Sequence, residues 1–462
     1  MRKYFLLCLG LIFSITLLAQ EKMYIHKSDK TSSEILISKV DSIYFSSDQL
    51  KAFFRIDSQL TEYAVSEIDS ISFIDYSNTI YVTYNGTTAS VINPLASQGV
   101  SVILNGADVT VNSTSENTDI NYSLKGTATE GTFKVYSTSK FNLKLNGVTL
   151  TNSNGPAINI QSKKKCNITF EDGTTNTFAD GSTYSTSAED QKSTLFSEGQ
   201  IDFDGTGSLT VKSNSAHAIC SDDYIDIQNG YITVSGATKD GIHTSDYFKM
   251  SGGTLNVTST GDGVECESGY ILISGGKLTS VNNSADVKGI VCDSTLTISG
   301  ETIKLTLGGN QSKGIKAAQK MLFSDGDITI SNSGSVELIT SGSGFDPAYS
   351  SGIKADTDVE ISGSKITIVS SGAGGKGITA TGNLTITSGT VNVTTSGAGA
   401  TFKNSTAVTD SYSAVCLNAD ENVSITGRTL IASCTGGDAI DSNGNLEISG
   451  RPVIANGPLS VV

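Results

Sequence analysis

The 462-residue sequence has no tryptophan, only three histidines and only five prolines. The missing tryptophan removes the core marker of an immunoglobulin-like array. Seven cysteines include no Cys-x-x-Cys pair, and His26, His217 and His243 are far apart. The close ligand spacing of a zinc site is therefore absent along the chain. Basic residues number 31 against 46 acidic ones, a formal net charge of −15. A chain of that sign repels phosphate backbones, which excludes nucleic acid as a partner, and its acidity serves solubility. Beyond the N-terminus no apolar run is long enough to cross a bilayer as a helix. Apolar residues do not recur at a 3.6-residue period, which excludes an α-solenoid. A propeller is excluded because its blades need four strands in about 40 residues.

What remains is glycine, at 48 residues, with Ser, Thr, Asn, Val and Ile in short alternating runs. That is the composition of strands and turns. Residues 1–20 read as a secretory signal, with Arg2 and Lys3 before an apolar core from Phe5 to Leu18 and a small residue, Ala19, near the cleavage point. Its removal takes two positive charges, so the mature charge is −15 − 2 = −17. The expected product is a secreted, extracellular or cell-surface protein, periplasmic as an alternative, with no transmembrane segment and monomeric.

Residues 21–76 read as a small β module of two similar halves. Ser38-Lys-Val-Asp-Ser-Ile-Tyr-Phe45 returns as Ser66-Glu-Ile-Asp-Ser-Ile-Ser-Phe73. The module resembles an N-terminal segment common in secreted proteins of Gram-negative anaerobes, a resemblance that implies no activity.

The rest, 77–462, is a repeat. A "Gly-Ile" landmark falls at Ile158, Leu195, Ile219, Ile242, Val264, Ile290, Ile315, Ile353, Ile378, Val415 and Ile440. Most intervals are 22–26 residues, and three longer ones hold insertions near 171–192, 331–350 and 396–411 that read as surface loops. Two further period-two signals follow each landmark, such as Phe248-x-Met250 and Leu255-x-Val257. Three short strands per coil predict an all-β, three-sided parallel β-helix. Glycine marks one corner, at Gly230, Gly252, Gly275, Gly300, Gly326, Gly363, Gly389, Gly427 and Gly450. The positions two after each landmark, including Cys266 and Cys292, should point inward as buried free thiols and small residues.

Outward positions carry the chemistry. Equivalent residues of successive coils lie about 4.8 Å apart. Asp240, Asp262 and Glu265 thus become neighbours, with Asp222, Asp223, Asp246 and Glu267 just downstream. Bare carboxylates at that spacing repel, and Ca²⁺, a hard cation with irregular oxygen coordination, is the expected ligand. Tyr224 and Tyr247 occupy one column and offer rings to a sugar. His243, Lys288, Lys313 and Lys316 complete the candidate carbohydrate-binding set, and no catalytic residue is singled out.

Asp240-Gly-Ile, Ser251-Gly-Gly, Asp262-Gly-Val, Ser274-Gly-Gly and Gly437-Asp-Ala-Ile-Asp-Ser-Asn-Gly-Asn445 resemble the bacterial secreted carbohydrate-binding domain family with a pectate-lyase-like β-helix. Leu145-Asn-Gly-Val-Thr-Leu150, Gly155-Pro-Ala-Ile158 and Ile168-Thr-Phe-Glu-Asp-Gly-Thr-Thr-Asn-Thr-Phe178 resemble that family's opening coils. The resemblance covers roughly 80–462. It implies a right-handed helix, calcium on the coil surface, and binding to plant-type polysaccharide, cellulose or acidic pectin. The chain departs from it where the Asp two before the landmark becomes Lys in the middle coils. It also ends at Gly457-Pro-Leu-Ser-Val-Val462, where another coil is expected. The leading expectation is a calcium-dependent polysaccharide-binding protein without catalysis. A pectate-type polysaccharide lyase using a lysine base, and an adhesin with no sugar ligand, are the alternatives.

Overall fold

The structure, a computed structural model, describes residues 22–461 except 30, 75–77, 428, 450 and 451. The signal-peptide reading of 1–20, and the last corner glycine, Gly450, lie outside the described residues. Among the described residues there is no α-helix, and no helix is long and apolar enough to cross a membrane.

The chain forms two compact units. One runs to Ile80 and takes in Asn93–Ser97; the other holds Tyr81–Ile92 and everything from Gln98. In the first, Lys22–Lys27 pairs with Ser32–Leu36 and Lys51–Ile56 pairs with Gln59–Ala64, each as an antiparallel hairpin. Each hairpin leads through a 3₁₀ turn, Ile37–Lys39 or Val65–Glu67, into the repeated Ser-Ile motif. The halves then exchange strands: Val40–Phe45 pairs with the second hairpin and Ile68–Ile74 with the first. Met23, Ile25, Ala52 and Phe54 form the buried core between them.

The second unit is a β-solenoid. Its landmark strands stack into a 15-stranded sheet, parallel except for the hairpin Val100–Asn105 with Asp108–Ser113. The register follows the landmarks, Ile219 to Ile242 to Val264 to Ile290 to Ile315, and all five side chains are buried. One landmark is displaced. Leu417, not Val415, stands in register with Ile378 and Ile440. Both residues are buried on the same strand, so parity alone does not separate them.

The other two predicted strands of each coil lie in one 20-stranded sheet. They are separate in some coils, as Tyr224–Ile227 and Tyr231–Gly236 or Val423–Ile425 and Thr429–Cys434, and form a single bent strand in others, as in Tyr247–Ser259 and Tyr270–Asn282. The bend falls at Ser-Gly-Gly, where the register of Tyr247–Ser259 against Tyr270–Asn282 shifts. The second glycine takes the left-handed conformation, φ +73° at Gly253 and +85° at Gly276. The first is needed for close approach: a Cβ on Gly275 would sit 2.1 Å from the Ser251 carbonyl oxygen. The corner list from the sequence therefore mixes two different requirements.

The inward column two after the landmark is buried as expected, and Cys266 pairs in register with Cys292. All six described cysteines are free and buried. Buried asparagines close the end of the bent strands. Asn282 Nδ2 donates to Ser259 Oγ at 2.6 Å and to the Gly261 carbonyl at 3.1 Å.

The insertions differ from simple loops. Thr175–Asp180, inside the first, is a regular coil strand paired with Ser208–Lys212, so the insertion proper is 181–192. The second and third fold into antiparallel hairpins, Glu337–Ser341 with Gly344–Ala348 and Ala400–Lys403 with Thr409–Tyr412. All three leave the solenoid at the same corner, just ahead of a landmark strand.

Candidate functional site

The outward face of the landmark sheet is polar and changes sign along its length. Two before the landmark stand His217, Asp240 and Asp262, then Lys288, Lys313, Ser351 and Lys376. One after it stand His243 and Glu265, then Lys316 and Lys354.

At the acidic end the predicted neighbours meet. Oxygens of Asp240, Asp262 and Glu265 lie within 4.8 Å of one another. Backbone amides hold two of them in place: Asp262 N–H donates to Asp240 Oδ1 at 2.7 Å, and Lys288 N–H to Asp262 Oδ1 at 2.6 Å. The structure adds two imidazoles that the sequence did not place here as ligands. His217 Nδ1 is 2.9 Å from Asp240 Oδ2, and His243 Nδ1 is 3.3 Å from that oxygen and 3.0 Å from Glu265 Oε2. Burial acts to raise the Asp240 pKa, but hydrogen bonds from His217 and His243 outweigh it and hold the carboxyl well below its usual range. Burial pushes Asp262 up to about 7, aided by the charges of Asp240 and Glu265.

The remaining predicted calcium ligands are placed elsewhere. Asp222 pairs with Lys192 Nζ at 2.8 Å, and Asp223 accepts from Gln200. Asp246 lies close enough to Asp223 to raise its pKa, but belongs to no cluster with Asp240. Glu267 is exposed, 3.8 Å from His243 Nε2. A calcium ion would find the three converging carboxylates suitable and the two imidazole nitrogens unsuitable, since Ca²⁺ is held by oxygen. The carboxylate set Asp240, Asp262 and Glu265 suits calcium, whereas the set His217, Asp240 and His243 does not.

Tyr224 and Tyr247 do occupy one column, and Tyr270 extends it. Their rings stack at 4.4 and 5.1 Å with planes within 16° of parallel. The ring faces are thus turned on one another, and Lys249 Nζ lies 4.5 Å from the Tyr247 ring. The column offers edges and hydroxyls rather than flat platforms.

Beyond the acidic coils the lysines form a ladder. Lys313 is paired in register with Lys288, and Lys354 with Lys316. Asp286 lies 3.4 Å from Lys288 and 3.6 Å from Lys313, and Asp356 lies 3.7 Å from Lys316 and 3.6 Å from Lys354. Two carboxylates thus face four ammonium groups. Burial lowers the Lys313 pKa to about 8; the charges of Lys288, Lys354 and Lys316 add to the shift and Asp286 opposes it. Burial also lowers Lys376. Lys354 and Lys376 stand in the same outward columns of the sequence but were not counted among the candidate binding residues.

Lys376 Nζ lies 4.6 Å from the Tyr349 ring. Tyr349 in turn lines a cleft of about 390 Å³ between the two insertion hairpins, with Phe345, Asp346, Phe402, Asn404 and Asp410. A bridge between Phe345 and Asn404 joins the hairpins. The cleft was invisible in the sequence, where both insertions read as loops.

A parallel β-solenoid with one mainly polar, charged face, bordered by an aromatic-lined cleft, is the class of protein that this architecture defines. The sequence model of the carbohydrate-binding domain-containing family matches residues 105–374 and 334–457. Those spans cover more than half of the chain, and the chain belongs to that family. The overlap at 334–374 is what a repeat allows. No curated protein matches the chain. Among solved structures, the polysaccharide lyase-like protein from C. thermocellum, determined as a gadolinium derivative, is 23% identical with a TM-score of 0.45. The match covers 55% of this chain and 96% of that one.

Proposed function

We propose that the protein binds an acidic polysaccharide without cleaving it, the glycan lying along the landmark sheet across the lysine ladder. The observation that carries this reading is the concentration of Lys288, Lys313, Lys316, Lys354 and Lys376 on one face of a chain whose net charge is −15. Stacked coils repeat about every 4.8 Å, which presents the ammonium groups as a regular row to a polymer with a regular row of carboxylates. Lys313 is buried against its own charge, so a uronate carboxylate arriving there relieves an existing repulsion. The ladder leads to the hairpin cleft, where Phe345 and Tyr349 supply apolar surface and Asp346, Asn404 and Asp410 supply polar atoms for sugar hydroxyls. A chain displayed outside the cell or on its surface would meet such polymers.

The test is affinity electrophoresis through gels holding polygalacturonate or a neutral β-glucan. The parent is expected to be retarded by polygalacturonate, and a Lys288→Gln, Lys313→Gln, Lys316→Gln variant to run freely. Retardation by neutral glucan alone, unchanged in the triple variant, refutes the ladder.

One observation favours a second reading, a polysaccharide lyase. A lysine with its pKa near 8 is suited to remove the proton beside a uronate carboxylate at moderate pH. Ultraviolet absorbance of an unsaturated product, rising with the parent and absent with Lys313→Ala, selects the lyase; a flat trace selects binding.

A further inference from the structure

We propose that His217, Asp240, His243 and Glu265 form a binding site for a first-row transition cation of the zinc type rather than for calcium. The proposal is independent of the polysaccharide reading and concerns the opposite end of the polar face.

The chain has three histidines, and two of them meet here although 26 positions separate them. That separation is one coil plus three residues, so the solenoid supplies the closeness that the linear sequence lacks. Ligand atoms of His217, Asp240 and His243 all lie within 4.8 Å of one another. Glu265 Oε2 is 3.0 Å from His243 Nδ1. Two imidazole nitrogens and two carboxylate oxygens are a usual zinc set, with zinc about 2.0–2.2 Å from each. Calcium would leave both nitrogens unused.

The hydrogen bonds point the same way. His217 Nδ1 is 2.9 Å from Asp240 Oδ2, and it also faces the Asp240 backbone N–H at 3.3 Å. If Nδ1 is unprotonated it accepts the amide, and two lone-pair atoms then oppose each other at 2.9 Å. If it is protonated, two N–H groups oppose each other. His243 Nδ1 faces two carboxylates but can carry one proton between them. A cation bound by both Nδ1 atoms and Asp240 Oδ2, with Glu265 Oε2 as a fourth donor, takes up the opposed lone pairs, and the Asp240 N–H gives up its 3.3 Å contact with His217 Nδ1.

The surroundings suit it too. The His217, His243 and Asp240 side chains are 11, 15 and 12% exposed, while Glu265 at 30% leaves an approach from solvent. Glu267, 3.8 Å from His243 Nε2, stands where an outer carboxylate commonly orients a metal-bound imidazole. The four residues come from three successive coils, so the cation would tie those coils together.

The test uses the whole chain, stripped with a chelator and titrated separately with Zn²⁺, Co²⁺ and Ca²⁺ by calorimetry. One Zn²⁺ per chain is expected, and Co²⁺ should give the visible absorption of a four-coordinate ion. A large excess of Ca²⁺ should displace neither. His217→Ala and His243→Ala should each weaken Zn²⁺ by about tenfold or more, with Asp262→Asn close to the parent. Circular dichroism of each variant checks that the β-solenoid persists. The parent alone can refute the proposal: no Zn²⁺ uptake, or Ca²⁺ binding more tightly than Zn²⁺, overturns it. A folded double-histidine variant that binds Zn²⁺ as well as the parent also overturns it.

Discussion

Lys313→Met should stabilise the protein at neutral pH. The Lys313 side chain is 12% exposed, and burial brings its pKa from the ordinary 10.5 to about 8. Methionine keeps the length of the stem and removes the charge. Because the folded pKa is below the unfolded one, the charged form is disfavoured by folding. Below pH 8 both states are protonated and the folded state carries the full cost. Between pH 8 and 10.5 the folded state has lost its proton first, and the cost shrinks; above 10.5 both states are neutral and it vanishes. A difference of about 2.5 pKa units corresponds to about 3 kcal/mol, a ceiling because the contact with Asp286 is lost as well. The assay is the denaturant midpoint of parent and variant at pH 7 and at pH 10.5. Comparing the two proteins cancels the titration of other groups. The variant should gain at pH 7 and lose that advantage at pH 10.5. No gain at pH 7, or an equal gain at both, refutes the claim that buried charge strains this coil.

Three other expectations test the scaffold. Gly275→Ala should lower stability by about 1–3 kcal/mol because its Cβ meets the Ser251 carbonyl. Gly236→Ala, where no atom lies within 4 Å of the added Cβ, should cost far less in the same unfolding assay. Asn282→Ala should cost about 1–3 kcal/mol by stranding the buried partners Ser259, Ser280 and Gly261, measured by thermal or denaturant unfolding. The six described cysteines should resist a thiol reagent in the native state and all react after unfolding; rapid labelling of any one in the native protein contradicts the packing.

The coil was legible because stacking imposes the same demand at every turn. Ile242, Val264 and Ile290 must fill one interior column, so the interval between them survives in the sequence. Reading fails where parity is silent. Val415 and Leu417 lie on the same strand with Ala414, Cys416 and Ala419 buried around them, and only pairing with Ile378 decides between them. The merging of two sides into one bent strand is likewise hidden, since Phe248-x-Met250 and Leu255-x-Val257 show identical alternation whether or not the chain breaks between them. The hairpins of the insertions escaped because their strands are only four or five residues long and do not alternate: Glu337–Ser341 sets Leu338 beside Ile339. In the N-terminal module the repeated motif was plain, but its strand exchange was not, because each half pairs with the other rather than with itself.

The site was half legible. Counting from the landmark brings Asp240, Asp262 and Glu265 together, and structure and count agree. The same count places His217 and His243 beside them, but a criterion of closeness along the chain dismisses residues 26 apart. In a solenoid the relevant distance is counted in coils.

The three insertions share one corner, and that has a consequence for how such a surface can vary. Each leaves just before a landmark strand, so a longer or shorter insertion changes the rim of the polar face and leaves the strand pieces untouched. Doubling the length of a flexible loop costs only about 0.6 kcal/mol. The interior columns, by contrast, tolerate no shift of register, because one residue of slip turns every buried side chain outward. The molecule therefore separates a ruler from a rim. The ruler holds charges at a constant spacing, and the rim, with its two hairpins, can be redrawn for a different ligand without recalibrating it.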